Sequence, residues 1–155
     1  MNLIKPEAML NIRIRAAEES DFPEIYNLIK VELGYDDLDK AETLKRLTYF
    51  RNSPDWATFI AFYGGEAAGF IGITKGMAYN IDGFYSQIMA LAVSAKYRRL
   101  GLGTLLVKKA EEWSLSQGIT DICVNSNMKR LEAHMFYEKN GYIKKSYSFT
   151  KTLKG

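Results

Sequence analysis

Residues 88–113 read IMALAVSAKYRRLGLGTLLVKKAEEW, and this stretch decides the fold. An apolar run from Ile88 to Val93 meets a turn that carries Arg98, Arg99, Gly101 and Gly103. The run belongs to a longer strand reading, FYSQIMALAV. The segment GTLLVKKAEEWSLSQ after the turn sets Leu105, Leu106, Ala110 and Trp113 on one side and lysines and glutamates on the other, which predicts a helix. A strand that passes through a basic, glycine-bearing turn into a helix can hold phosphate. Glycine lets backbone approach a ligand closely, and the first N–H groups of the helix have no internal partner and point into the turn. The successive amides of Arg99, Leu100, Gly101, Leu102, Gly103 and Thr104 suit a pyrophosphate, and Lys96, Arg98 and Arg99 add positive charge. The P-loop pattern is absent, and G-L-G lacks the third glycine of the dinucleotide fingerprint. The same glycines also suit a plain tight junction, and the turn alone does not choose.

The chain around it has 155 residues, 47% hydrophobic and 25% charged, a length and balance expected of one domain spanning 1–155. A net charge of +3, with 18 acidic residues among the basic ones, argues against nucleic acid as the partner. One cysteine, Cys123, excludes an internal disulfide, and one histidine, His134, makes a protein-only metal site implausible, so no metal is expected. A reducing cytoplasm is the expected location. The opening MNLIKPEAML lacks the pattern of a signal peptide, and no apolar run approaches the ~20 residues that span a bilayer, so no membrane is expected.

The remaining segments read in order. NIRIRA (11–16) alternates as a half-buried strand. A helix follows with Ser20 as its cap, Pro23 in its first turn, and Ile25, Leu28, Ile29 and Leu33 on one face. After the acidic loop YDDLD, AETLKRLTYFRN predicts a second helix that ends before Pro54. WATFIAFY and EAAGFIGITKGM are strands joined by Gly64-Gly65, a hairpin signal. Beyond the helix at 103–117, TDICVNS reads as a short strand, KRLEAHMFYEKN as a helix and YIKKSYSFTKTL as a last strand or two. Hairpins followed by strand–helix–strand crossovers predict a mixed α/β fold, with a mostly antiparallel sheet of about six to seven strands and helices on both faces.

IMALAVSAKYRRLGLGTLLVKKAEEW and, some thirty residues later, AHMFYEKNGY together resemble the GNAT superfamily of N-acetyltransferases. Arg98, Gly101 and Gly103 match that family's R/Q-x-x-G-x-G/A turn, and Phe136, Tyr137, Gly141 and Tyr142 match its F/L-Y-x-x-x-G-F/Y ending. ELGYDDL, KRLEAHMFYEKNGY and FTKTL are similar to a small bacterial subgroup whose members mostly lack a settled substrate. The resemblance implies the GNAT fold, acetyl-CoA as cosubstrate and direct transfer of its acetyl group to a primary amine in a ternary complex. It implies that the turn grips the pyrophosphate and that the backbone of Leu91, Ala92 and Val93 pairs with the pantetheine arm. It also implies that Tyr137 is the general acid toward the departing thiolate.

Several positions depart from the family pattern or stay open. Ala133, one helical turn before Tyr137, leaves room for the pantetheine arm. Arg130 stands where many members carry Asn, and it reads either as a phosphate contact or as a solvated first-turn arginine. Many members place a glutamate base on the fourth or fifth strand. Here Gln87 and Asn125 stand there, and with Ser86 they are candidates to hold a water that takes the proton. His134 is a candidate base by its chemistry, or a structural histidine. Tyr35, Asp36 and Asp37 are candidates for attracting a cationic acceptor, against the reading of an ordinary solvated loop. Small-molecule amines, polyamines, aminoglycosides, lysines and peptide N-termini are all open as acceptors, and the chain reads as monomer or homodimer. A CoA-binding module that has lost turnover is the competing function, consistent with the missing carboxylate.

Overall fold

A computed structural model describes residues 11–154; the opening segment read above for a signal peptide lies outside the described residues. Five strands form one sheet in the order β1-β2-β3-β4-β5: β1 Ile12–Ala16, β2 Trp56–Tyr63, β3 Glu66–Gly76, β4 Tyr85–Val93 and β5 Ile122–Val124. The first four pair antiparallel, and β5 runs parallel to β4. Among the described residues four α-helices flank it: α1 Phe22–Glu32, α2 Lys40–Asn52, α3 Leu102–Ser116 and α4 Leu131–Lys139.

Strand alternation divides the core into two layers. Phe59, Ala61, Ile71, Ile73 and Ile88 meet Leu102, Leu106, Val107 and Ala110 of α3 on one face. Ile60, Phe70 and Ala92 meet Ile25 and Leu28 of α1 and Leu47 of α2 on the other. The β2–β3 turn uses Gly64 and Gly65 at φ 57° and 85°, values a two-residue hairpin turn requires.

The first helix corrects one expectation. Ser20 lies in a short 3-10 turn, Glu19–Asp21, and Asp21 occupies the cap position of α1. Asp21 is buried and holds a two-pronged ion pair with Arg15 at 2.6 and 2.9 Å, while accepting from the Glu18 amide at 2.7 Å. That arrangement holds its carboxyl below the ordinary range. Asp39 caps α2 by accepting from the Glu42 amide at 2.8 Å, a local role that accounts for one acidic residue of the 35–39 loop.

The strand count is also corrected. Among the described residues five strands stand where six to seven are expected, and residues 142–154 form no strand and pair with no edge.

Candidate functional site

Past Val93 the chain makes a single 3-10 turn, Ala95–Tyr97, and enters α3 at Gly101, which caps the helix at φ 86°. Arg99 is the one non-glycine residue with positive φ among the described residues, at 67°. Residues of alternating handedness turn successive N–H groups toward one concavity, the geometry of an anion-binding nest. The amides from Arg98 through Thr104 donate to no protein group among the described residues; the first inward hydrogen bond of α3 is Leu105 N–H to Gly101 O at 3.1 Å. A row of free donors at a helix start, beside a non-glycine residue held at positive φ, is an arrangement that can accept an anion.

A carboxylate from α1 braces this turn. Glu32 accepts from the Arg98 guanidinium at 2.6 Å and from the Ala95 amide at 3.1 Å. The Arg98 side chain is therefore committed to Glu32, and it also donates to Val93 O at 3.4 Å. Arg99 stays exposed with no side-chain partner among the described residues. Lys96 lies 3.2 Å from Glu66.

The strand leading into the turn has an open side. β5 accompanies β4 only over Ser86–Ile88, so from Met89 to Val93 the β5 side of β4 carries no strand. Ser94 N–H bonds to Ala68 O on β3 at 2.8 Å. Strand alternation then turns the backbone groups of Leu91 and Val93 away from β3, toward the gap. Ala92 sits in register with Phe70, its side chain in the core. Met89 is the extra residue where the β3–β4 register shifts, and such a bulge is a common way to bend a strand beside a site.

Helix α4 follows β5 and packs its Phe136 on the α3 core. Tyr137 is half-buried, packed edge-on against Phe136 and Tyr142, and its hydroxyl has no hydrogen-bond partner among the described residues. Burial raises its pKa, with the Arg130 charge opposing. Tyr142 donates to Glu111 at 3.0 Å and is pushed up by burial and by that carboxylate. Phe136 packs on the α3 core, and a Cβ built on Gly103 would stand 3.1 and 3.2 Å from its ring. Gly103 is therefore small because a neighbouring side chain needs the space. Arg130 precedes α4 and lines a shallow open depression with Lys129, Leu131, Glu132 and Ala133.

The polar candidates separate. Ser86 is fully buried, 2.6 Å from Ser114 Oγ, so it is a core hydrogen bond and cannot hold a catalytic water. Gln87 stays half-buried on β4, in register with Cys123, and Asn125 is exposed beyond β5. The Nε2 of His134 lies 2.8 Å from Asn127 O. A carbonyl only accepts, so this nitrogen donates, and the lone pair is left on Nδ1, which is buried without a partner. His134 thereby anchors the 125–130 segment. Tyr35, Asp36 and Asp37 lie in an exposed loop, tied at its far end by Tyr26 donating to Leu38 O at 3.1 Å. Glu32 and Glu111 are the residues that sequence reasoning missed. Their partners lie far along the chain, and no local pattern marks them.

Residues 22–142 match the model of the acetyltransferase (GNAT) family. The chain belongs to that family. This GNAT acetyltransferase is 27% identical to aminoalkylphosphonate N-acetyltransferase of Salmonella typhimurium over 149 residues, 96% of each chain. It is also 27% identical to a GNAT family acetyltransferase of Staphylococcus aureus of known structure, with a TM-score of 0.72 over 92% of this chain and 99% of that one. An aminoglycoside N-acetyltransferase solved in complex with CoA shares the fold at 14% identity, with a TM-score of 0.83 over 93% and 95% of the two chains. Among the described residues no helix is long and apolar enough to cross a membrane.

Proposed function

We propose that this GNAT acetyltransferase moves the acetyl group of acetyl-CoA to a primary amine in a ternary complex. The observation that carries the reading is the row of free amides from Arg98 to Thr104, held in a nest and braced from α1. That donor set fits a pyrophosphate. Arg99, and Arg130 at the start of α4, supply charge at exposed positions. Backbone groups of Leu91 and Val93 face the gap where a pantetheine arm would lie, and Ala133 keeps that side of α4 small. When bound, acetyl-CoA supplies the activated acyl group.

The chain's own groups do the rest. An amide of β4 directed into the gap stabilises negative charge that develops on an acyl oxygen. The Tyr137 hydroxyl, unengaged and kept protonated by burial, donates to the sulfur that departs. The amine loses its proton to water held by Gln87 and Asn125. The Salmonella relative is named for an aminoalkylphosphonate, which supports a small-molecule amine as acceptor.

Calorimetric titration with acetyl-CoA tests the reading. Gly101→Val places a β-branched residue at φ 86°, a conformation that costs it about 1–2 kcal/mol, so binding weakens by an order of magnitude or more while the helical CD spectrum is kept. Unchanged affinity in the folded variant refutes the nest as the pyrophosphate site. Thiol release against a panel of amines separates the enzyme from a CoA-binding module without turnover, which would bind acetyl-CoA and release nothing.

A further inference from the structure

The chain reaches the turn at 98–104 through the short 3-10 turn Ala95–Tyr97, and this approach is tied at three points. Ser94 N–H donates to Ala68 O on β3 at 2.8 Å. The Ala95 amide donates to Glu32 of α1 at 3.1 Å. The Tyr97 hydroxyl donates to Glu66 Oε2 at 2.5 Å. Glu66 opens β3, in register with Tyr63 across the Gly64-Gly65 hairpin. It also takes the Lys96 ammonium at 3.2 Å, so the charge that Lys96 lends the turn in sequence is committed to a carboxylate. These hydrogen bonds hold the Glu66 carboxyl below its ordinary range and the Tyr97 hydroxyl and Lys96 ammonium above theirs. The acceptor is therefore ionised and both donors keep their protons around neutral pH.

Arg99 follows Tyr97 by two residues and stands at φ 67°. A non-glycine residue stays in that region only where its surroundings over-determine it. On the far side the buried Leu102 seats the start of α3. On the near side the Tyr97 ring is buried in the same core layer, 5.2 Å from the Tyr63 ring. Apolar packing of a ring is not directional, and the bond from its hydroxyl to Glu66 supplies the direction. We propose that Glu66 is a positioning residue for the turn at 98–104, acting through the Tyr97 hydroxyl. The inference rests on the reading of that turn as the acetyl-CoA site. It makes the β2–β3 hairpin a second support for the site, beside the one that Glu32 provides from α1.

Charge alone argues the reverse. A carboxylate in the neighbourhood of an anion site repels the anion, and Glu66 also occupies Lys96. On electrostatics its removal would therefore tighten acetyl-CoA binding, whereas loss of a positioning bond weakens it. The two accounts differ in sign. They differ again for Glu66→Gln, which removes the charge and keeps an oxygen for the Tyr97 hydroxyl to donate to.

Calorimetric titration of the full chain with acetyl-CoA reads that sign. Glu66→Ala and Tyr97→Phe should each weaken binding about five- to tenfold. The double variant should be no weaker than either single one, because both delete the same bond. Glu66→Gln should return to within about twofold of the parent. In steady state the acetyl-CoA KM rises while kcat at saturation is kept, a split that a general loss of stability does not produce. Glu66→Ala alters an exposed side chain and Tyr97→Phe keeps the buried ring, so both fold, and the far-ultraviolet CD spectrum checks this. Unchanged or tighter binding in Glu66→Ala overturns the proposal. So does a Glu66→Gln variant as weak as Glu66→Ala, or a double variant in which the two losses add. A parent that does not bind acetyl-CoA refutes the cofactor reading of the turn itself, and this inference falls with it.

Discussion

The turn at 98–104 and the loops at 34–39 and 77–84 are built on opposite plans. The turn offers backbone: its amides are free, Arg99 and Gly101 both hold positive φ, and Glu32 ties Arg98 and Ala95 into one brace. The loops offer side chains: Tyr35, Met77, Tyr79 and Phe84 stand exposed, with Asp36 and Asp37 among them. On the proposed function, the backbone donors would take a group common to every turnover, a pyrophosphate, and tolerate side-chain change. On the same proposal, the exposed side chains would read what differs between acceptors, and little structure depends on them.

The sharpest test separates chemistry from both regions. Tyr137→Phe keeps the ring contacts with Phe136 and Tyr142 and deletes the hydroxyl. Turnover should fall about 10²- to 10⁴-fold with acetyl-CoA affinity unchanged. Because burial raises this pKa above the ordinary tyrosine value, the hydroxyl keeps its proton through the ordinary tyrosine range. Any alkaline loss of kcat that reports Tyr137 therefore lies above that range and vanishes in the Phe variant.

Next in size is the brace. Glu32→Ala removes the partner of Arg98 and of the Ala95 amide, and losing charge-assisted hydrogen bonds worth about 1–2 kcal/mol weakens acetyl-CoA binding about tenfold. Glu32→Gln keeps an acceptor and loses less. If Glu32→Ala changes the acceptor KM and leaves acetyl-CoA affinity intact, the division between the two regions is wrong.

Gly103→Ala should act more gently. Its methyl group meets the Phe136 ring at 3.1 Å, so α4 shifts by a few tenths of an ångström. Thermal stability falls by about 1 kcal/mol, and Phe136→Leu in the same chain recovers part of the loss. An additive pair in thermal denaturation would show that the ring does not set this glycine.

The smallest effect belongs to the loops. Asp36→Asn with Asp37→Asn should raise the KM of a cationic acceptor about two- to threefold at low salt and less at high salt, since these charges are exposed and screened. The acetyl-CoA KM should stay constant. Acceptor kinetics equal to the parent's at both salt concentrations would move specificity to the turn around Tyr79 and Asp82.

Much of the fold was legible because its signals are local. Alternation placed β1, the Gly64-Gly65 turn between two apolar runs placed β2 and β3, and the run from Ile88 through Gly103 placed strand, turn and helix in order. The strand reading of 142–154 differs from the structure because a β-rich composition says nothing of whether a partner strand is present. Ser20 failed as the cap because the chain makes a 3-10 turn over Glu19–Asp21 before α1 begins.

The amino-acid sequence by itself determined the family, the element order and the identity of the turn, since periodicity, glycine and helix ends act within a few residues. Tertiary structure alone decided what each side chain in that frame is free to do. It gave Arg98 to Glu32, 66 positions away, gave Ser86 to Ser114 in the core, fixed His134 on Asn127 and left the Tyr137 hydroxyl unengaged. Those pairings depend on distances between elements far apart in the chain. No spacing along it encodes them.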